Sequence, residues 1–407
     1  MKIFNYLFLL AIFLGFFLPN NSNFILSIGG FNLRIRELAF FLLPIFNFLS
    51  VNQNSYPTNS KKIKSSIYIL LIIVTLTESL KMLYFGYGLY GFLVSIKFGF
   101  PLFSSLIIIL QKIKTNLKLV WQILLITLSI SFILSFISIF INIPIYQNME
   151  GMDYLDAVQG RIINSNSSFG LIGIYLLMSK NKGWYNKGLL VKLTSFLSII
   201  SLLISFNRTY LILALFLVFF LIFKNFGAKY FIKAILILII SFFIFQFAYY
   251  NFDAIKNQVD RRIVSILIGE KTVFSSAFEG NRDYIIEATL NNIIKGHWVF
   301  GLPYDAIMVK YSHLDSTASL HIASLTDTSF INILLRYGIL PLLIIFQIFY
   351  KMLRVNKSKL YQYIFFLFFI ASINIDSLMR HNSVLFLTML FFISIASNNL
   401  NAINFRK

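Results

Sequence analysis

Apolar residues run along this chain in long continuous blocks separated by short polar connections. A block of about 20 residues crosses roughly 30 Å of hydrocarbon as a helix. The blocks are continuous rather than alternating, which argues against a membrane β-barrel. A hydropathy window of about 19 residues marks about twelve segments. They are 3–19, 24–50, 66–84, 88–110, 119–142, 166–179, 190–206, 209–224, 230–250, 324–350, 361–379 and 383–398. Segments 166–179 and 209–224 are short for a full crossing. Arg34, Arg36 and Glu37 restrict the membrane part of the second segment to Leu38–Ser50. The expected fold is an all-α polytopic membrane protein with about twelve transmembrane helices. One polar break interrupts the series, and it divides the chain into a bundle of about nine spans over 1–250, a large loop over 251–325 and about three spans over 326–407.

Composition narrows this further. Charged residues make up 12% of the chain, against about 25% in soluble domains. There are no cysteines, so disulfides and thiolate metal sites are excluded. The first segment resembles a signal peptide, but no small-residue cleavage pattern follows it; it reads as a retained span. The net charge of +20 would point to nucleic acid in a soluble protein. Here membrane topology signals and an anionic ligand account for it better.

Lysines cluster in alternate connections: Lys61, Lys62 and Lys64; Lys112, Lys114 and Lys118; Lys180, Lys182, Lys187 and Lys192; Lys224, Lys229 and Lys233; Lys351, Lys357 and Lys359. Arg354 and the terminal Arg406 and Lys407 share that side, and none of these connections contains Asp or Glu. The positive-inside rule makes their face cytoplasmic, with both termini. Acidic residues gather in the opposite loops, at Glu150, Asp153 and Asp156 and then from Asp253 to Asp327. Arginine is prominent there: Arg161, Arg208, Arg261, Arg262, Arg282, Arg336 and Arg380. Arginine keeps its charge when partly buried and grips phosphate or carboxylate through two parallel bonds.

Each candidate has a plainer reading beside it. Arg208 sits in a tight hairpin, Ser205-Phe-Asn-Arg-Thr209; it is a site residue or a helix-end snorkeller. Arg161 precedes Asn164-Ser-Asn-Ser-Ser168, which is pocket lining or a helix cap. The apolar spacing within Phe252–Ile268 and Asn281–Ile294 predicts two surface helices. Arg282 would stand at the positive end of the second, where an anion binds, or pair with Glu279 or Glu287. Gly296-His-Trp-Val-Phe-Gly301-Leu-Pro303 reads as a turn with an aromatic surface, and its Trp298 suits sugar stacking or a membrane interface. His297, His313 and His321 lack metal-ligand spacing. No phosphate-cradling glycine loop and no serine nucleophile elbow is present.

Four features together resemble the O-antigen polymerase and O-antigen ligase superfamily of bacterial inner membranes. They are the span count with one dominant late outer loop; Ser205–Thr209 with Arg208; Arg282 leading to Ile294-Lys-Gly296-His-Trp-Val-Phe-Gly301; and Asp327 to Gly338 entering the next span. The ligase pattern has histidine where Asp327 stands, and its second glycine is Pro341 here. Those departures favour a polymerase.

The resemblance implies glycosyl transfer at the periplasmic face of the inner membrane. A glycan on undecaprenyl diphosphate passes to a hydroxyl of a second lipid-linked oligosaccharide, and the lipid diphosphate leaves. On that reading Asp327 is the candidate base, or else a helix N-cap. Arg208 and Arg282 would stabilise the leaving group without a metal or cofactor. Arg161, Arg336, Arg380, His321 and Trp298 would bind diphosphate or glycan. The implied partners are the lipid-linked donor and acceptor, the bilayer and a chain-length regulator protein, with no nucleic acid. A ligase joining glycan to lipid A-core is one alternative. A repeat-unit flippase is another; it would place charges such as Glu78, Lys81 and Lys97 around a central cavity.

Overall fold

The structure is a computed structural model. It describes residues 2–18, 25–28, 31–53, 61–86, 88–97, 99–137, 166–178, 188–205, 209–222, 290–303, 309–311, 321–323, 328–356, 358–374 and 382–404, with a few isolated positions between them. Helix dominates these residues. Among the described residues, two helices, Ile63–Phe85 and Leu117–Ile137, are long and apolar enough to cross a membrane by length and composition, and a third span arises if Gly88–Lys97 and Phe100–Gln111 count as one. The chain divides into two compact units, one of residues 1–15, 25–121 and 280–407, the other of 16–24 and 122–279.

The first unit opens with α1 (Lys2–Phe17). A small hairpin follows, β1 (Ile25–Ile28) against β2 (Phe31–Arg34), with Ile28 opposite Phe31. This corrects the expected 24–50 segment. Gly29 and Gly30 lie between two short apolar runs, a hairpin signature that hydropathy averaging hides. Helix α2 (Ile35–Leu49) starts at once, with Glu37 accepting the Arg34 N–H at 3.0 Å in its first turn. Pro44 lies inside α2. It has no N–H to give the Phe40 carbonyl, and Ser104 Oγ donates to that carbonyl at 2.6 Å instead.

Helix α3 (Lys61–Phe85) is the longest of the described helices. The expected 88–110 segment is two helices, α4 (Gly88–Lys97) and α5 (Phe100–Gln111), bent by 76° at the break. Gly99 precedes the Phe-Pro start of α5, and proline suits the first turn of a helix. Helix α5 runs parallel to α2, from the Phe41–Phe100 ring contact to the Asn47 Nδ2 bond on Gln111 Oε1. Helix α6 (Leu117–Ile137) leaves this unit.

In the second unit, α7 (Phe169–Met178) lies antiparallel to α8 (Leu189–Ile204). Gly170 and Gly173 permit the approach: a Cβ on Gly173 would stand 2.9 Å from the Ser195 carbonyl. Thr194 of α8 meets Ser129 of α6, hydroxyl to hydroxyl, at 2.7 Å. Small residues at close helix contacts are how helices pack without a hydrophobic driving force. Helix α9 (Thr209–Ile222) comes next in the chain.

The chain re-enters the first unit with a helical turn over 290–294 and a turn through 303. A second hairpin pairs β3 (Val309–Tyr311) with β4 (His321–Ala323). The expected 324–350 segment is also divided. Helix α10 (Ser329–Tyr337) ends at Gly338, where α11 (Ile339–Val355) begins. Gly338 has φ +89°, and its backbone N–H closes on Leu334 O. Helices α12 (Lys359–Asn374) and α13 (Ser383–Asn404) complete the unit. Of the expected helices in the polar break, only the end of Asn281–Ile294 is described; Phe252–Ile268 and the 230–250 segment lie almost wholly outside the described residues.

Candidate functional site

Helices α3 and α11 run antiparallel, and this sorts polar groups to two ends. At one end Lys351 Nζ donates to Ser66 Oγ at 2.6 Å, and Ser66 Oγ donates to Gln347 Oε1 at 3.1 Å. At the other end sit Glu78, Lys81 and Arg336, all buried. Charges at such depth in an apolar helix are functional candidates until their partners explain them.

The partners are mostly backbone. Glu78 and Lys81 form an ion pair one turn apart on α3. Lys81 Nζ also donates to Arg336 O at 2.6 Å and to Leu302 O at 3.2 Å. Arg336 is 0% exposed, and its NH1 donates to Pro303 O at 2.9 Å. Arg336 closes the last turn of α10, where carbonyls lack helical donors and a cation is favourable.

Around these charges two segments interlock. Leu302 N–H donates to Leu335 O at 2.6 Å, and Ile339 N–H donates to Trp298 O at 2.9 Å. Gly301 and Gly338 face each other's segment. A Cβ on Gly301 would come 2.3 Å from Arg336 O, and one on Gly338 would come 2.2 Å from Val299 O. Both have positive φ, +81° and +89°, which glycine alone adopts freely. The aromatic turn 296–303 is thereby fixed against the α10–α11 break. Tyr337 extends the junction: its hydroxyl donates to Ser95 O at 2.9 Å, and its ring meets Phe103 edge-on at 5.5 Å.

Two residues beyond Ser95, Lys97 pairs with Glu37 at 3.0 Å. Next to Glu37, buried Arg36 donates from NH2 to Asn382 Oδ1 at 2.6 Å and lies 5.3 Å from the centre of the Phe40 ring. The charged end of this unit thus carries Arg36, Glu37, Glu78, Lys81, Lys97 and Arg336. Sequence reasoning used Arg36 and Glu37 only to trim a span, and Glu78, Lys81 and Lys97 only for a transporter. Their signal was charge inside apolar segments.

Of the sequence-stated site residues, Arg336 is the one in this cluster, and its described bond is to a backbone carbonyl. Trp298 lies on the junction's outer side, 40% exposed, beside exposed Phe300. His321 is in β4, opposite Tyr311. Arg161, Arg208, Arg282, Asp327 and Arg380 lie outside the described residues. The cap position of α10 is Thr328, so residue 327 directly precedes it. Among the described residues, no three His, Asp or Glu side chains gather as metal ligands. No protein-family model matches the chain, and no curated protein matches it.

Proposed function

We propose that the chain polymerises lipid-linked oligosaccharide repeat units by glycosyl transfer from undecaprenyl diphosphate, at the outer face of a bacterial inner membrane. The observation that carries this reading is the meeting of the turn 296–303 with the α10–α11 break at the charged end of the first unit. The turn and the break belong to two of the three sequence stretches on which the family resemblance rests, and they are more than 30 residues apart in sequence. Their contact joins the end of the polar break to the helix capped at Thr328, and in sequence Arg282 precedes the one and Asp327 the other. On this reading the charged end faces the periplasm, the Lys351–Ser66 end and both termini face the cytoplasm, and about twelve spans form the bundle.

Arg208 and Arg282 then neutralise the departing diphosphate, which needs no metal when guanidinium groups bind two oxygens at once. Asp327 accepts the proton of the attacking hydroxyl. Arg161 and Arg380 hold the second diphosphate, and Trp298 offers a ring face to sugar. A flippase reading requires charges lining an open path. The Glu78–Lys81 pair instead closes on backbone carbonyls, which does not favour it. Deleting the gene and separating the surface glycan on a gel tests the proposal. The expected result is lipid A-core bearing at most one repeat. Unattached lipid-linked polymer would make the protein a ligase, and repeat units trapped on the cytoplasmic leaflet would make it a flippase.

A further inference from the structure

We infer that Lys81 is a positioning residue that holds α10 and the turn 296–303 in register, and through α10 sets the place of the helix start at Thr328, the residue that follows Asp327 in sequence. The inference rests on the transfer reading above for its last step only.

Neutralising Glu78 does not account for Lys81. A buried ion pair is seldom a net gain over two apolar side chains. Lys81 is 4% exposed, and its ammonium reaches beyond its pair to two carbonyls, on segments 221 and 255 residues away. One belongs to the last turn of α10 and the other to the turn 296–303. A charged donor on a helix's terminal carbonyl is a strong bond in apolar surroundings. Lys81 therefore pins both sides of the interlock to α3, a helix long enough to span the membrane. Helix α10 has 9 residues, a rod of about 13 Å. Its last turn is held by Lys81, and its first residue follows Thr328, next to Asp327. Moving the pinned end tilts the other.

The test uses hydrogen exchange with mass spectrometry on the full chain in nanodiscs, read on peptides covering Trp298–Leu302 and Leu335–Ile339. Lys81→Met leaves Glu78 buried without its partner and threatens folding, so Glu78→Gln with Lys81→Met is the principal variant. The Leu302 and Ile339 amides should exchange faster by on the order of tenfold to a hundredfold, as losing hydrogen bonds to a charged group implies. Peptides around Asn356, whose amide bonds to Met352 O, should be unchanged. Polymer ladders should be lost at unchanged protein level. Unaltered exchange in the double variant overturns the clamp. Faster exchange with normal ladders overturns the positioning role while the clamp stands. Normal ladders in the gene deletion itself would instead remove the transfer reading.

Discussion

Gly301 and Gly338 each occupy a backbone shape that a side chain resists, and each lies against the other's segment. Gly301→Ala and Gly338→Ala should each destabilise the protein by at least about 2 kcal/mol, from the positive φ and from a Cβ forced onto a carbonyl. Gly86 makes the comparison. Its φ is +69°, but a Cβ there meets nothing within 4 Å, so Gly86→Ala should cost only about 1 kcal/mol. Thermal unfolding in detergent measures all three. Asp327→Asn and Asp327→Ala should abolish polymer ladders on a glycan gel at unchanged protein level; normal ladders would remove Asp327 as the base. Arg208→Lys and Arg282→Lys should also be severely impaired, since lysine cannot make the two-pronged phosphate contact. The arginine enrichment was legible as composition. The clamping role of Lys81 was not, because its carbonyl partners lie 221 and 255 residues away and leave no mark on local pattern.

At the scale of the element, α2 joins a proline to a repair. Ser104 of α5 gives the Phe40 carbonyl the bond that Pro44 withholds. Ser104→Ala should therefore cost about 1–3 kcal/mol, the penalty of a buried unsatisfied carbonyl. In a Pro44→Ala background the restored N–H fills the same role, and Ser104→Ala should be nearly neutral. A double-mutant cycle of unfolding midpoints reads the coupling; additive effects would show that the two groups act independently. Most helix positions followed from hydropathy, within a few residues. What escaped were the breaks at Gly99 and Gly338 and the hairpin at 25–34. In each case a glycine interrupts an apolar run without making it polar, so a window average passes over it. The bend and the turn are set by backbone freedom and by contacts far away in sequence.

At the scale of the molecule, the absence of native cysteine makes sidedness directly measurable. Phe300→Cys, at a position 61% exposed, should react with a membrane-impermeant maleimide on intact spheroplasts. Lys357→Cys, in a lysine-bearing connection, should react only after permeabilisation. The reverse pattern would invert the proposed topology. The proposed sidedness rests on lysine and acidic residues, which alternate between connections over most of the chain. The antiparallel run of α3 and α11 joins Lys351 to Ser66 and leaves Lys81 and Arg336 at the opposite end.

The Glu78–Lys81 pair also has a meaning in time. Helix α3 leaves the ribosome long before residues 302 and 336 exist. At about 5–20 residues per second, 255 residues take roughly 13–50 seconds to make. Throughout that interval Lys81 is a cation inside a nascent span without its full pair of carbonyl acceptors, and for the first 221 residues it has neither. Glu78, one turn earlier on the same helix, is a partner from the outset. The carboxylate thus acts as a built-in escort for the lysine until the late segments arrive. Glu78→Gln alone should shorten the lifetime of newly made protein in a pulse-chase, and adding Lys81→Met should restore it.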